Sequence, residues 1–351
     1  MNMATKVRAP VVVIGAGQAG LAAGRMLQKA GLDFLILEAG DRASGSWRAY
    51  YDSLTLFSPT AYSALPDRAM PGDPNAYPCR DAVADYLEDY AAHFALPIRF
   101  AARVASADPD NESDFVVRLE SGEAIAASAV VAATGTFGSP HMPAIEGAAG
   151  FGGTVLHSAA YRRPTDFAGQ RVIVVGAANS AVQIAAELAA LARVTLATRE
   201  AIRYAPQRLL GRDVHFFFKW LGIDATNIFS DQGTPVLDDG RYRLAIAEGR
   251  PERRQMFKAM TTEGVIWADG REEPVDAILF ATGFRPDLPF LPAAAFSPDG
   301  KLKQRGGAST AIDRLYFVGQ PGLTRFASGV LRGVGHDAAA AVRRIKRRLA
   351  A

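Results

Sequence analysis

Two glycine-rich turns carry the chemistry that residue types and spacing suggest. In the first, Gly15-x-Gly17-x-x-Gly20 stands between the β-branched run Val11-Val12-Val13-Ile14 and a stretch with helical spacing, Leu21 to Ala30, ended by Gly31. Gly15 permits a tight turn, Gly17 lets the backbone approach a pyrophosphate, and Gly20 lets helix pack on strand. The N-terminus of the helix that follows turns its N–H groups toward phosphate charge. The next apolar run, Phe34 to Leu37, closes on Glu38 and Ala39. A carboxylate at that place accepts hydrogen bonds from both ribose hydroxyls and repels a 2′-phosphate. The first turn is therefore expected to hold FAD or NAD rather than NADP.

The second turn, Gly176-Ala177-Ala178-Asn179-Ser180-Ala181, stands between the strand-like Val172 to Val175 and a helix expected from Val182 to Leu191, and departs from the pattern. Ala178 stands where the middle glycine would be and Ala181 where the third would be, so the backbone approaches a pyrophosphate less closely. Asn179 and Ser180 can still donate hydrogen bonds at the helix start. The following strand, Val194 to Ala197, ends in Thr198-Arg199 with no acidic residue in the ribose position. A guanidinium there matches a 2′-phosphate bidentately, which favours NADPH over NADH. The competing role for Arg199 is a solvated surface cation.

These turns need strands and helices to hold them, and the chain supplies two strand–helix–strand units with first glycines 161 residues apart (176 − 15). That separation suits two separate dinucleotide-binding domains. Ala133-Thr134-Gly135 and Ala281-Thr282-Gly283 bracket the second unit, the mark of a domain inserted in another. The expected fold is α/β with two Rossmann-like dinucleotide-binding domains: 1–160 and 283–351 for FAD, and 161–282 inserted for NADPH. Between the glycine turns, Leu54 to Pro78 carries five prolines and must run over a surface or line a cleft. Asp81 can cap a helix with apolar Val83, Leu87, Tyr90 and Phe94; short strands follow near Ile98 to Val104, Phe115 to Leu119 and Ala129 to Ala133. Tyr204 to Lys258 is irregular, with the aromatic run Phe216 to Trp220 suited to a substrate pocket or to contact with a second copy of the chain. Strand-like Gly264 to Ala268, Val275 to Phe280 and Leu315 to Val318 follow, the last leading into Gly319-Gln320, and a final helix begins near Gly335.

Composition narrows the class. A chain of 351 residues, 49% hydrophobic and 21% charged, has length for about two cores. The net charge of +3 is not gathered into one block, so nucleic acid is not an implied partner. The basic residues from Arg343 to Arg348 are expected to solvate the end of a last helix. Lys6 and Arg8 before Val11 faintly resemble the start of a signal peptide, but glycines interrupt the run at once. No stretch of 18 apolar residues lacks a charge, so a cytoplasmic protein without membrane insertion is expected. The single cysteine, Cys79, allows neither an internal disulfide nor a Cys-x-x-Cys pair, and no metal site is expected.

Between the two units, Phe151-x-Gly153-x-x-x-His157-x-x-x-Tyr161 resembles the identifying motif of the class B flavin monooxygenases. Gly45-Ser46-Trp47, both glycine turns and both Ala-Thr-Gly crossings extend the resemblance over nearly the whole chain. Tyr161, where Baeyer–Villiger members carry Trp, is similar to the flavin-containing monooxygenase branch. The short length and Asp52 to Pro59 resemble the compact monooxygenases of bacterial arsenic-resistance operons. The resemblance implies FAD in the first unit and NADPH in the second. It also implies hydride transfer to flavin, a C4a-hydroperoxide formed with O2, and oxygen delivery to sulfur, nitrogen or arsenic of a small molecule. Ser46, Trp47, Val104, Thr134, Gly135, Gly319 and Gln320 join the FAD side, and Thr282 and Gly283 the NADPH side. His157 then links the NADPH domain to the active site, or it is a strand-end histidine satisfied by backbone. Where flavin-containing monooxygenases have an Asn beside the flavin, Leu56 to Ser58 has none. Ser58 takes that donor role, or NADPH oxidase behaviour is prominent. His93, His141, His215 and His336 are read as structural. The alternative is a cysteine-free NADPH-dependent ferredoxin or quinone reductase of the same architecture, without oxygen transfer.

Overall fold

The computed structural model describes residues 7–111, 114–226, 235–286 and 288–350. The first sheet grows outward from Val7–Ile14, whose Val11, Val12 and Val13 have no exposed surface. Burial on both faces explains why the run is continuously apolar rather than alternating. Val11 and Val13 meet the helices Gln18–Lys29, Arg80–His93 and Leu331–Leu349 on one face; Val12 and Ile14 meet Phe115, Ile125 and Phe317 on the other. Val7–Ile14 pairs in parallel with Phe34–Leu37 and with Ala124–Ala132, which pairs in parallel with Leu315–Phe317. Register sets Ile14 beside Leu37 and Ala132, and Ala132 beside Phe317. Gly15, Glu38, Thr134 and Gly319 thus emerge at the same end.

The second sheet has five parallel strands in the order Glu252–Gln255, Arg193–Thr198, Arg171–Val175, Ala277–Phe280 and Thr154–His157. Val175 lies beside Ala197 and Phe280, and Phe280 beside His157, so Gly176, the 281–283 crossing and Ser158 share an end. Thr154–His157 falls before residue 160 yet pairs in this sheet. The helix Asn179–Leu188 covers one face through Ala181, Val182, Ile184, Ala185 and Leu188. The first sheet takes strands from before and after this second sheet in the chain, as an insertion requires.

Several local readings shift. The helices start at Gln18, Asn179 and Leu331, a few residues before the expected positions. Cys79, not Asp81, is the N-cap of Arg80–His93, and Asp81 lies in its first turn, where a carboxylate favours the helix dipole. The expected strand from Ile98 to Val104 is two strands, Ile98–Arg99 and Val104–Asp110, with Ala101 at φ 50° between them. Within the stretch read as irregular, Val214–Trp220 is a helix capped by the Asp213 carboxylate, which accepts from the His215 N–H at 2.9 Å.

Candidate active site

The first turn is built by close backbone packing. Gly15 sits at φ 100°, and its N–H donates to Leu37 O at 2.8 Å. A Cβ on Gly20 would fall 1.7 Å from Gly15 O, so only glycine lets the helix approach the strand. Glu38 accepts from the Ala16 N–H at 2.6 Å and the Gly40 N–H at 2.8 Å, which fixes its carboxylate beside the turn. The helix N-cap, Gly17, has no side-chain cap, leaving the first N–H groups for an anion. Gln18 Nε2 donates to Gly329 O at 2.9 Å and Gln320 Nε2 to Gly135 O at 3.1 Å. The amide oxygens of both glutamines are buried without a partner among the described residues.

The other expected first-site residues are placed by the same loops. Gly319 abuts Ala19, and Thr134 lies against Gly15. Ala102 N–H donates to Glu38 O at 2.8 Å, which puts the segment leading to half-buried Val104 next to Glu38 and exposed Ala39. Gly17 and Gly45 meet backbone to backbone, followed by exposed Ser46, which shares a hydrogen bond with Tyr50 Oη at 3.2 Å. Trp47 packs on the core and stands edge-on to Tyr50, 5.7 Å between ring centres. A dinucleotide fits this group: uncapped N–H groups, a carboxylate fixed beside the turn, and two buried amide oxygens with no partner among the described residues.

At the second turn Gly176 has φ 145°, and Ala178 is the N-cap, again without a side-chain cap. Ser180 is exposed in the first turn. The Asn179 side chain is differently employed from the expectation of a phosphate donor. Its Nδ2 donates to Pro235 O and its Oδ1 accepts from Leu237 N–H, both at 3.2 Å, so it ties down Val236–Asp238. Arg199 lies exposed just beyond Arg193–Thr198, and its carbonyl accepts from Gln255 Nε2 at 2.8 Å. Thr198 is buried and accepts at Oγ1 from Arg253 Nε at 3.0 Å; Arg253 Nη2 also reaches Glu200 O at 3.1 Å. Arg253 is a cation that the sequence reading did not include, because only the pairing of Glu252–Gln255 with Arg193–Thr198 brings it there.

His157 is satisfied by backbone. Its Nε2–H donates to Gly283 O at 2.9 Å, while Nδ1 accepts from the Ala159 N–H at 3.1 Å. Burial holds its pKa below the ordinary imidazole value, against the opposing pull of the Gly283 carbonyl. It therefore fastens the end of Thr154–His157 to the 281–283 crossing. Thr282 Oγ1 donates to His141 O at the same place. Edge-on rings run from His157 through Phe284, Phe137 and Tyr50 to Trp47, at 4.9, 5.0, 5.5 and 5.7 Å, from the 281–283 crossing to the loop after Gly45. Ser58 is buried, and its hydroxyl meets Ser63 Oγ at 2.8 Å. Ser63 Oγ also lies within hydrogen-bond distance of Pro59 O at 2.9 Å and Ser58 O at 3.1 Å, so the two hydroxyls form one buried cluster.

Residues 12–211, more than half the chain, match the family model described as pyridine nucleotide-disulphide oxidoreductase. An uncharacterized, CzcO-like oxidoreductase of Geobacillus kaustophilus is 35% identical over 93% of this chain and 95% of its own length. The flavin-containing monooxygenase from Stenotrophomonas maltophilia superposes with a TM-score of 0.87 at 32% identity, over 98% of this chain and 99% of that one. The chain belongs to the class B flavin monooxygenases. Rice indole-3-pyruvate monooxygenase YUCCA1 is also similar, 31% identical over 79% of this chain and 77% of its own. The cofactors that go with this membership are FAD and NADPH, and the lone Cys79 leaves no dithiol for the disulphide chemistry in the family model's description.

In this flavin monooxygenase, sequence reasoning passed over a polar pair. His215, read as a structural histidine, is 1% exposed, and its Nδ1 lies 2.6 Å from Asp213 Oδ1. Burial works to raise the Asp213 pKa, yet hydrogen bonds from His215, Tyr77 and Gln207 prevail and hold it below the ordinary carboxylate value. Asp-x-His was visible in the sequence, but its partners lie 136 and 6 residues away and only the fold collects them.

Proposed function

We propose that the protein is an FAD- and NADPH-dependent monooxygenase that delivers one atom of O2 to a small soft nucleophile at sulfur, nitrogen or arsenic. The observation that carries the reading is the contrast between the two turns: a carboxylate, Glu38, beside the first and an exposed guanidinium, Arg199, beside the second. Glu38, Gln18 and Gln320 would hold the FAD, and the N–H groups after Gly17 would face its pyrophosphate. Arg199, with Arg253 beside it, would take the 2′-phosphate of NADPH; the helix start at Ala178 and Ser180 would take the pyrophosphate. When bound, the flavin accepts a hydride from the nicotinamide and activates O2 for transfer of one oxygen atom. The chain's part is to align the two cofactors and keep water out, and the ring series from Trp47 to His157 supports both.

Purified protein is expected to be yellow and to oxidise NADPH at least about tenfold faster than NADH at limiting concentrations, the scale of one charge-assisted contact. Arg199→Ala is expected to remove that preference by weakening NADPH alone. Equal use of NADH by the wild type would overturn the assignment of Arg199. One observation favours the reductase alternative: the Ser58 hydroxyl is buried and already hydrogen-bonded to Ser63 Oγ at 2.8 Å. A screen of amines, thioethers, trivalent arsenicals and indole-3-pyruvate, with oxygenated product and H2O2 measured per NADPH, separates the two. Product in proportion to NADPH supports oxygen transfer, and electron delivery only to artificial acceptors supports the reductase.

A further inference from the structure

The Asp213–His215 pair stands outside both dinucleotide turns. Asp213 Oδ2 accepts from Tyr77 Oη at 2.6 Å and Gln207 Nε2 at 2.7 Å; Oδ1 accepts from the His215 N–H at 2.9 Å and from Nδ1 at 2.6 Å. With four donors around it the carboxylate only accepts, so Nδ1 carries a ring proton, and in the neutral ring Nε2 presents a lone pair. That atom is buried, and no group among the described residues hydrogen-bonds to it. The imidazole runs nearly parallel to Phe57 and to Tyr62, each 6.2 Å away at 21° and 27°, and Phe218 stands edge-on at 5.6 Å. Phe57 belongs to the segment next to Ser58, and Gln207 Nε2 also donates to Phe57 O at 3.1 Å. The pair is thus fixed where the second unit meets that segment. A ring locked in one tautomer, walled by aromatic faces and left with an unused acceptor, is shaped to receive a hydrogen-bond donor.

We propose that His215 Nε2 is a substrate-recognising acceptor, fitted to a flat, apolar soft nucleophile that carries one O–H or N–H. Asp213, Tyr77 and Gln207 position the ring and do not touch the substrate. The proposal rests on the monooxygenase reading, and its test separates the two. Two probes share one thioether and differ in one donor: 4-(methylthio)phenol and 4-methoxythioanisole. With the wild-type holoenzyme, the phenol is expected to bind about tenfold more tightly than the methyl ether, the scale of one desolvated hydrogen bond. In [15N]histidine-labelled holoenzyme, the phenol and not the ether should shift the Nε2 resonance of the ring whose Nδ1–H shows a downfield, short-bond proton. In His215→Phe the preference should fall below about twofold. The resonance measurement needs no variant, so it decides the matter even if His215→Phe does not fold. Equal affinities in the wild type, an unmoved Nε2 resonance, or a preference that survives in His215→Phe overturns the proposal. An Nε2 that reports only exchange with a trapped water overturns it as well. A protein without flavin, or one inert toward NADPH, overturns the monooxygenase reading instead.

Discussion

Built on Gly17, a Cβ meets Gly45 Cα at 3.6 Å, an ordinary contact; built on Gly20, it falls 1.7 Å from Gly15 O. The two glycines of one motif therefore answer to different demands. Gly17→Ala is expected to fold with an unchanged melting temperature and lose most of its flavin, because the methyl group, in contact with Gly45, crowds the helix start that would face the pyrophosphate. Absorbance near 450 nm per protein, beside circular dichroism, checks this, and unchanged flavin occupancy would show the first turn misassigned. Gly20→Ala is expected to destabilise the fold itself by about 1–3 kcal/mol or more, as overpacking does. At this scale the turn glycines and the place of Glu38 beside the first turn were legible because their spacing follows a backbone requirement. The engaged amide of Asn179 and the placement of Arg253 were not, since each depends on a neighbour distant in sequence.

Among the elements, the strand Thr154–His157 depends on its last residue. His157 is held neutral, with both ring nitrogens in backbone bonds to Gly283 and Ala159. Burial lowers its folded pKa below the ordinary value, so between the folded and unfolded values the unfolded chain binds more protons. Stability from this group is full above the unfolded value near 6.5 and falls as pH drops toward the folded one. His336 shifts in the same direction, so the contribution of His157 needs a variant. His157→Gln, whose amide can still donate to Gly283 O, is expected to melt lower at pH 8 and to lose less on acidification to pH 5.5. Thermal melts across that range, with a steeper loss in the variant as the contrary result, test the sign. Strands were legible as β-branched runs and helices as spaced apolar positions. Helix starts were placed late because an N-cap without a capping side chain leaves no residue signal, as at Gly17 and Ala178. The run Phe216 to Trp220 hid a helix because continuous aromatics show no period.

Across the whole molecule, the two sheets are joined by more than their covalent crossings. Arg332, on the final helix, grips Asp224 of the second unit with Nε at 3.0 and 3.1 Å and Nη2 at 2.9 Å, at side-chain exposures of 11% and 22%. Tyr51 Oη donates to Gln183 Oε1 at 2.9 Å, and Asp52 N–H to Arg162 O at 2.9 Å. Asp224→Ala is expected to cost about 1–2 kcal/mol, reduced from the buried-pair value by partial exposure, and so to lower the melting temperature by a few degrees. An unchanged melt would mean that the pair is solvated and the sheets are held by the other contacts. None of the helices among the described residues is long and apolar enough to cross a membrane. The sequence alone determined the α/β class, the two dinucleotide turns, the nested order of the units and the absence of a dithiol, because local backbone geometry and residue inventory settle each of these. Only the tertiary structure decided which polar atoms are already satisfied and which are left waiting. His157 proved to be closed on backbone and His215 open at Nε2, since the burial and partners of a side chain are set by segments that meet only after the chain has folded.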